Sequence, residues 1–261
     1  MCEAMKAVIL AGGLGTRLAE ETDVKPKPMV EVGGHPLLWH IMKHYAHYGI
    51  SEFLVPLGYR GDVIRRYFVD HVTLRSTFSV DLRTGQVNLE DDAAIEPWLI
   101  HLVETGVQTN TGGRLLMLKR WLQGEPIFLT YGDGVSNVDL HALLAFHRAH
   151  GRLATVTAVR PPARFGGLEL DGDRVAAFTE KPEIGEGWIN GGFFVLEPEV
   201  FDYLHGPDDS LEYDVLSRLA QEDQLRAFRH TGFWQCMDTL RDLRLLQGLW
   251  SSERAPWKVW S

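Results

Sequence analysis

The sequence is poor in cysteine, in positive charge and in long apolar runs, and each shortage removes a class of protein. Among 261 residues only Cys2 and Cys236 are cysteines, too few for a disulfide framework or a cysteine zinc site. Lys and Arg number 26 against 35 Asp and Glu, a formal net charge of −9. The basic surface that broad nucleic-acid binding needs is therefore missing. A phosphorylated small molecule stays admissible, because a few local cations suffice for it. No apolar run approaches the ~20 residues of a membrane-spanning helix. Met1-Cys-Glu-Ala-Met5 does not read as a signal peptide, since the apolar stretch after it is short and runs into glycines. The expectation is a protein of the reducing cytoplasm, with neither nucleic acid nor membrane as partner. Met5 is a candidate start, with residues 1–4 an N-terminal extension.

What is present is an ordinary core, 45% hydrophobic and 23% charged, arranged as an α/β chain. Ala7-Val-Ile-Leu-Ala11 is an unbroken apolar run, the pattern of a strand buried on both faces of a parallel sheet. A helix over Leu37–Ala46, a strand over Glu52–Leu57 and a helix over Asp62–Val69 follow. This alternation predicts a Rossmann-like, doubly wound, mostly parallel mixed sheet flanked by helices. Residues 72–103 break the rhythm and read as a small β-rich insertion, a candidate interface. Further on, the pattern predicts a helix over Leu115–Leu122, a strand over Ile127–Tyr131 and a helix over Val138–His150. Strands over Ala154–Val159, Gly167–Leu170, Val175–Thr179 and Gly191–Leu196 come next, then helices near Val200–Leu204, Tyr213–Glu222 and Leu240–Trp250. With no repeat and no low-complexity linker, residues 1–261 read as one domain.

The first strand runs into Gly12, Gly13 and Gly15, and glycine lets backbone N–H groups approach a phosphate closely. Two familiar phosphate loops do not fit. A Walker A loop needs Gly-Lys-Ser/Thr after its spacer, and the dinucleotide fingerprint needs a third glycine that Gly13-Leu-Gly15-Thr-Arg-Leu18 lacks. The loop instead carries its own cation, Arg17, and is followed by Lys25-Pro-Lys27-Pro-Met29, whose prolines restrict the backbone around Lys27. Asp133, in Tyr131-Gly-Asp-Gly134 just past a strand, is placed either as a crevice ligand or as a turn aspartate. Asp238 alone is a weak ligand candidate, because that residue could simply cap the helix after it. His40 and His44, spaced i, i+4, could chelate a metal, but no third ligand is evident and surface or packing histidines are the preferred reading. The tryptophans read mostly as core or interface residues, with Trp188 and Trp234 candidate pocket walls.

Leu10-Ala-Gly-Gly-Leu-Gly-Thr-Arg-Leu18 followed by Lys27-Pro-Met29 resembles the signature of the nucleotidyl-diphospho-sugar pyrophosphorylases. Thr111-Gly-Gly-Arg114, Phe128-Leu-Thr-Tyr-Gly-Asp-Gly-Val135, Glu180-Lys-Pro182, Ile189–Val195 and Met237-Asp-Thr-Leu-Arg-Asp242 are similar to its cytidylyl-transferring branch, which acts on glucose 1-phosphate. One departure is Cys236, where the branch has proline. The resemblance implies that CTP and α-D-glucose 1-phosphate give CDP-glucose and pyrophosphate, by in-line attack of the sugar phosphate on the α-phosphorus. Such a transfer between anions needs charge neutralisation and alignment, hence Mg²⁺ held by Asp133 and Asp238.

The same resemblance implies the remaining roles. Arg17, Lys27 and Asp133 are the catalytic residues. Leu10, Ala11, Gly12, Gly13, Leu14, Gly15, Thr16, Arg17, Lys27, Thr109, Gly113, Arg114 and Gly132 form the nucleotide site. Gly167, Glu180, Lys181, Asn190 and Gly191 form the sugar-phosphate site. Arg114 is expected to read cytosine, whose O2 and N3 are acceptors. A homo-oligomer, as a hexamer, and a role in surface-polysaccharide synthesis such as O antigen of lipopolysaccharide are also implied. A uridylyl- or thymidylyltransferase of the same fold, and a catalytically silent binding subunit, are the alternatives.

Overall fold

Strand β1 (Lys6–Leu10) shows why the chain winds to both sides of one sheet. Ala7 and Ile9 enter one hydrophobic cluster and Val8 and Leu10 the other, so neither face can be left to solvent. The computed structural model describes residues 5–13, 25–89, 96–161, 167–171, 174–179 and 187–260. After β1 come helix α1 (Leu37–His47), strand β2 (Glu52–Leu57) and helix α2 (Gly61–Arg75). The hairpin β3 (Phe78–Asp81) and β4 (Gln86–Leu89) precedes β5 (Leu99–Glu104) and helix α3 (Thr111–Met117). Then follow β6 (Ile127–Tyr131), β7 (Gly134–Ser136), α4 (Leu140–His150) and β8 (Ala154–Val159). The last third holds β9 (Gly167–Asp171), β10 (Arg174–Thr179), β11 (Ile189–Leu196) and the short helix α5 (Ser217–Gln221). It ends with β12 (Leu225–Arg229), β13 (Trp234–Cys236) and α6 (Leu240–Ser251).

The main sheet has seven strands in the order β12-β8-β11-β6-β1-β2-β5. β11 runs antiparallel to both β6 and β8, and the other neighbouring pairs are parallel. The chain leaves β1 toward β2 and β5, then returns to the other side of β1 through β6. The carboxyl ends of β1 and β6 therefore flank a topological switch point, where open α/β sheets receive ligands. Because β11 is reversed, its beginning, at Ile189 and Asn190, lies at this same edge of the sheet. α1, α4 and α6 cover one face, while α3, Leu211, Val215 and Leu219 cover the other. Trp257, 1% exposed, pins the carboxyl-terminal segment into the first cluster; burial of a side chain this size contributes about 3 kcal/mol.

The doubly wound mixed sheet agrees with the sequence reading, but the insertion is smaller than residues 72–103. Residues 72–75 belong to α2, and Leu99–Glu104 is the seventh strand of the main sheet, in parallel register with Glu52–Leu57. Only the hairpin Phe78–Leu89 stands apart as a separate two-stranded sheet. The helix expected over Leu115–Leu122 begins earlier, at Thr111, and turns into a 3₁₀ segment at Lys119–Trp121. The helices expected near Val200–Leu204 and Tyr213–Glu222 are a 3₁₀ stretch, Pro198–Tyr203, and a π-helical turn, Leu211–Leu216, that runs into α5. Among the described residues no helix is long and apolar enough to cross a membrane.

Candidate active site

The centre of the site is built by backbone. Leu10 and Tyr131 are register partners at the ends of β1 and β6, and Gly132 N–H donates to the Leu10 carbonyl at 3.0 Å. A Cβ at Gly132 would lie 2.9 Å from Pro28 Cγ and 3.0 Å from that carbonyl, so only glycine lets the Lys27–Met29 turn lie against the strand end. The turn is a single 3₁₀ loop entered from Pro26 at φ −66° and ψ 150°. It delivers Lys27 to the mouth of the switch point.

A short antiparallel ladder then brings in the second carboxylate. Gly134 pairs with Cys236, and Met237 N–H donates to the Asp133 carbonyl at 2.7 Å, which sets Asp238 beside Asp133. Thr239, not Asp238, caps α6, in a reciprocal box with Asp242. Asp242 Oδ2 accepts from the backbone N–H of Asp238 at 3.1 Å and of Thr239 at 2.9 Å, while Gln235 Nε2 donates to Asp242 Oδ1 at 3.1 Å. The helix cap thus holds the Asp238 backbone and leaves its carboxylate to face Lys27. Lys27 Nζ donates to Asp133 Oδ2 at 2.9 Å and to Asp238 Oδ1. Burial pushes the Lys27 amine down, but Asp133 and Asp238 outweigh it and hold the pKa above its usual value.

These groups open onto a cavity of about 400 Å³. Of the residues expected there, Leu10, Ala11, Gly13, Lys27, Gly132, Asp133 and Asp238 line it. Thr111, Tyr131 and Pro28 line it as well, and none of the three belongs to the set expected from the sequence. A smaller hollow beside it shares Tyr131 and Asp133 and includes Asn190, Gly191, Trp234 and Cys236. Trp234 Nε1 donates to the Gly191 carbonyl at 2.8 Å, so one of the two tryptophans expected as walls is one. The other, Trp188, lies against Arg160 and Arg229, whose guanidinium carbons are 4.9 and 5.7 Å from its ring centre. Leu14, Gly15, Thr16, Arg17, Glu180 and Lys181 lie outside the described residues. Gly167 sits on β9, paired with Thr179.

Arg114 departs from its expected place. The residue is 4% exposed, and its terminal nitrogens bond backbone carbonyls and the Thr105 hydroxyl. Nη1 lies 3.1 Å from the Leu57 carbonyl, 2.6 Å from Thr105 Oγ1 and 2.8 Å from the Gly106 carbonyl. Nη2 donates to the carbonyls of Gly12 at 3.0 Å and Val107 at 3.2 Å. A Cβ at Gly12 would come within 2.4 Å of the guanidinium. The arginine expected at a base edge is instead a tie between the glycine segment and the loop after β5. Gly113 N–H donates to the Asp209 carbonyl at 3.1 Å, and its Cα faces Pro207. The Thr109 hydroxyl donates to the Thr105 carbonyl. None of these three is among the residues lining the cavity. Their physical logic is buried hydrogen bonding, which a sequence read for exposed cations does not reveal.

The donor set suits a hard divalent cation. Two carboxylate oxygens already converge on one ammonium, and Mg²⁺ commonly takes one or two carboxylates plus phosphate and water oxygens. Among the described residues no cluster of three or more His, Cys, Asp or Glu could hold a metal, so a cation here would complete its shell from ligand phosphates and water. His40 and His44 are core residues, 0% and 3% exposed, which selects packing over the surface reading.

An ammonium between two carboxylates at the switch point of a doubly wound sheet suits a phosphate-bearing ligand and its counter-cation. The chain belongs to the Nucleotidyl transferase family, whose sequence pattern matches residues 6–246. It is 49% identical to the glucose-1-phosphate cytidylyltransferase of Salmonella typhi, covering 98% of this chain and 100% of that one. It is 43% identical to the probable glucose-1-phosphate cytidylyltransferase of Bacillus subtilis, with the same coverage. In fold it is similar to HddC from Yersinia pseudotuberculosis, with a TM-score of 0.68 at 22% identity over 94% of this chain and 99% of that one.

Proposed function

We propose that the chain transfers the cytidylyl group of CTP to α-D-glucose 1-phosphate, giving CDP-glucose and pyrophosphate. One observation carries the chemistry: Lys27 bridging Asp133 and Asp238 at the mouth of the nucleotide-sized cavity. The choice of CTP and glucose 1-phosphate rests on the near full-length similarity to the Salmonella typhi cytidylyltransferase. A phosphate oxygen of the sugar substrate forms the new bond to the α-phosphorus, and the bond to the β-phosphate bridging oxygen breaks as pyrophosphate leaves. Lys27 holds phosphate oxygens and stabilises the charge that builds on them. Mg²⁺ held by Asp133 and Asp238 would supply further charge neutralisation. Arg17, with Gly15 and Thr16, takes the departing pyrophosphate. Lys181 takes the sugar phosphate, and Glu180, Asn190, Gly167 and Gly191 the hexose.

The base edge falls to the backbone of Leu10, Ala11 and Gly13, which Arg114 holds in place through Gly12. The chain works in the cytoplasm, and its product feeds dideoxyhexose or related surface polysaccharide, as in O antigen. It assembles as a homo-oligomer, with the Phe78–Leu89 hairpin and the β5 edge as interface. Phe78, Val80, Leu82 and Leu99 all lie exposed there, and an isolated two-stranded hairpin is marginally stable at best.

Purified protein incubated with Mg²⁺, glucose 1-phosphate and each of CTP, UTP, dTTP and GTP tests this. CDP-glucose and pyrophosphate are expected in CTP reactions, at least tenfold faster than with any other nucleotide. Faster turnover with another nucleotide overturns the base assignment. No product with any nucleotide and sugar 1-phosphate overturns the enzymatic reading.

A further inference from the structure

Outside the Lys27 cluster, one other carboxylate stands behind the cavity, and no lysine or arginine pairs with it among the described residues. Glu212 projects from the π-helical turn Leu211–Leu216, a geometry that recurs at functional sites. It accepts from Tyr131 Oη at 2.6 Å, Thr111 Oγ1 at 2.7 Å and Ser210 Oγ at 2.9 Å. Burial pushes its carboxyl up, but the Thr111, Tyr131 and Ser210 hydroxyls and its own backbone N–H overcome this and hold it below the usual carboxylate range. An ionised carboxylate only accepts, so the hydroxyl hydrogens of Tyr131 and Thr111 must point at Glu212. Both residues line the main cavity.

The direction of the remaining bonds follows. Asn190 Oδ1 accepts from the Gly192 N–H at 2.8 Å, which turns its amide so that Nδ2 donates to Tyr131 Oη at 3.3 Å. Tyr131 therefore keeps one free lone pair and no hydrogen to offer. Thr111 Oγ1 accepts from the Leu211 N–H at 2.9 Å and is left in the same state. A wall of this polarity disfavours phosphate, which also only accepts, and favours a ligand hydroxyl, which can donate to it. It lies between the nucleotide cavity and the hollow at Asn190, so the hydroxyl could belong to the ribose or to the hexose.

We propose that Glu212 is a positioning residue which, through Tyr131 and Thr111, makes this wall an acceptor for one sugar hydroxyl of the substrates. The inference rests on the transferase reading above and adds to it a selectivity for hydroxylated over deoxygenated ligands. A site whose polar groups expect a partner rejects the analogue that lacks it.

The test measures kcat/KM for the wild type, Glu212→Gln and Tyr131→Phe. One arm compares CTP with 2′-deoxy- and 3′-deoxy-CTP, and the other compares glucose 1-phosphate with its monodeoxy analogues. Wild type should prefer the hydroxylated form at one position by about tenfold, the equivalent of one hydrogen bond. Both variants should bring that one ratio toward unity, chiefly through KM, while leaving the other ratios in place. The arm in which this happens identifies ribose or hexose. A wild type indifferent to every hydroxyl, or variants that lose rate equally with all analogues, would overturn the proposal. Because each protein is its own reference, a general loss of folded enzyme cannot imitate the expected result. Failure of wild type to make any nucleotide sugar would strike the transferase reading instead, which separates the two.

Discussion

Three carboxylates stand on two sides of one cavity, a pair lining it and one behind its wall, and the two sides are satisfied in opposite ways. On the β7–β13 side, Asp133 and Asp238 share the Lys27 ammonium, a charged solution to a charged problem. On the α3 side, Glu212 has three hydroxyls. The first arrangement can exchange its cation for phosphate and metal contacts, because the partners are ions that keep their value when re-paired. The second cannot release its hydroxyls without stranding a buried charge, so it is fit to hold geometry and unfit to move. The α3 side is stiffened again by Arg114, whose bonds end on backbone carbonyls.

The largest expected effect breaks the charged wall. Lys27→Met should lower kcat/KM about a thousandfold, as loss of a charge-stabilising donor commonly does. It also leaves Asp133 and Asp238 facing each other without a cation. Mg²⁺ alone should then raise the melting temperature of the variant more than that of the wild type. A variant that keeps most of its activity, or gains nothing from Mg²⁺, would show that the ammonium is not the group that neutralises this pair. Chelation of Mg²⁺ in the wild-type assay should stop turnover, and its return should restore it.

Arg114→Ala comes next and tests the stiff wall. It orphans the carbonyls of Gly12, Leu57, Gly106 and Val107 and opens a void, at a cost of about 3 kcal/mol or more. The melting temperature should fall by several degrees and KM for CTP should rise, with the preference for CTP over UTP little changed. Were the arginine a reader of the base, that preference would collapse while thermal stability held.

Acid should weaken the charged wall from behind. α1 packs against β7, and its His40 and His44 face Gly134–Ser136. Burial, the largest cause, pushes both imidazoles down to about 4. His35 adds to this at His40; His47 and His230 add to it at His44, where Asp139 opposes them. A base with a lowered folded pKa binds fewer protons folded than unfolded, so stability rises with pH across that interval. The contribution is complete above about 6.5 and is lost as pH falls toward 4, by up to about 3 kcal/mol per histidine. Denaturant midpoints between pH 7 and pH 4.5 should fall steeply, and His44→Phe should flatten the curve. An unchanged curve would mean that His44 takes up its proton as readily in the folded state as in the unfolded one.

Legibility in the sequence followed burial. β1, β2, β6 and β8 announce themselves because strands covered on both faces are dominated by apolar and β-branched residues. β12 (Leu225–Arg229) does not, since it is an edge strand interrupted by Arg226 and Arg229, and β7 and β13 are too short to show a period. The start of α3 was hidden by Gly112 and Gly113, poor helix formers that are kept because the loop at Pro207–Asp209 packs onto them. Lys27, Asp133 and Asp238 were readable as charged residues at strand and turn ends. Glu212 was not, because its partner Tyr131 is 81 residues away and no local pattern links them. Arg114 was readable as a cation but not as one already engaged.

The smallest effect asks whether the charged wall is placed by its ladder or by its helix cap. Thr239→Ala removes the side chain that receives the Asp242 N–H at 3.2 Å and donates to Asp242 Oδ2 at 2.9 Å. Loss of such a cap costs about 1 kcal/mol, or roughly 2–4 °C for a chain of this size. The Asp238 backbone is held from two directions, by Asp242 and by the Met237 N–H on the Asp133 carbonyl. If the ladder dominates, Thr239→Ala loses only that stability and keeps kcat and its Mg²⁺ dependence. If the cap dominates, Asp238 drifts and the Mg²⁺ concentration for half-maximal rate rises several-fold. The structure favours the ladder, because the 2.7 Å bond from Met237 survives the substitution and Asp242 can still accept from the two backbone N–H groups. A Mg²⁺ titration of the variant, read beside its melting temperature, decides between them.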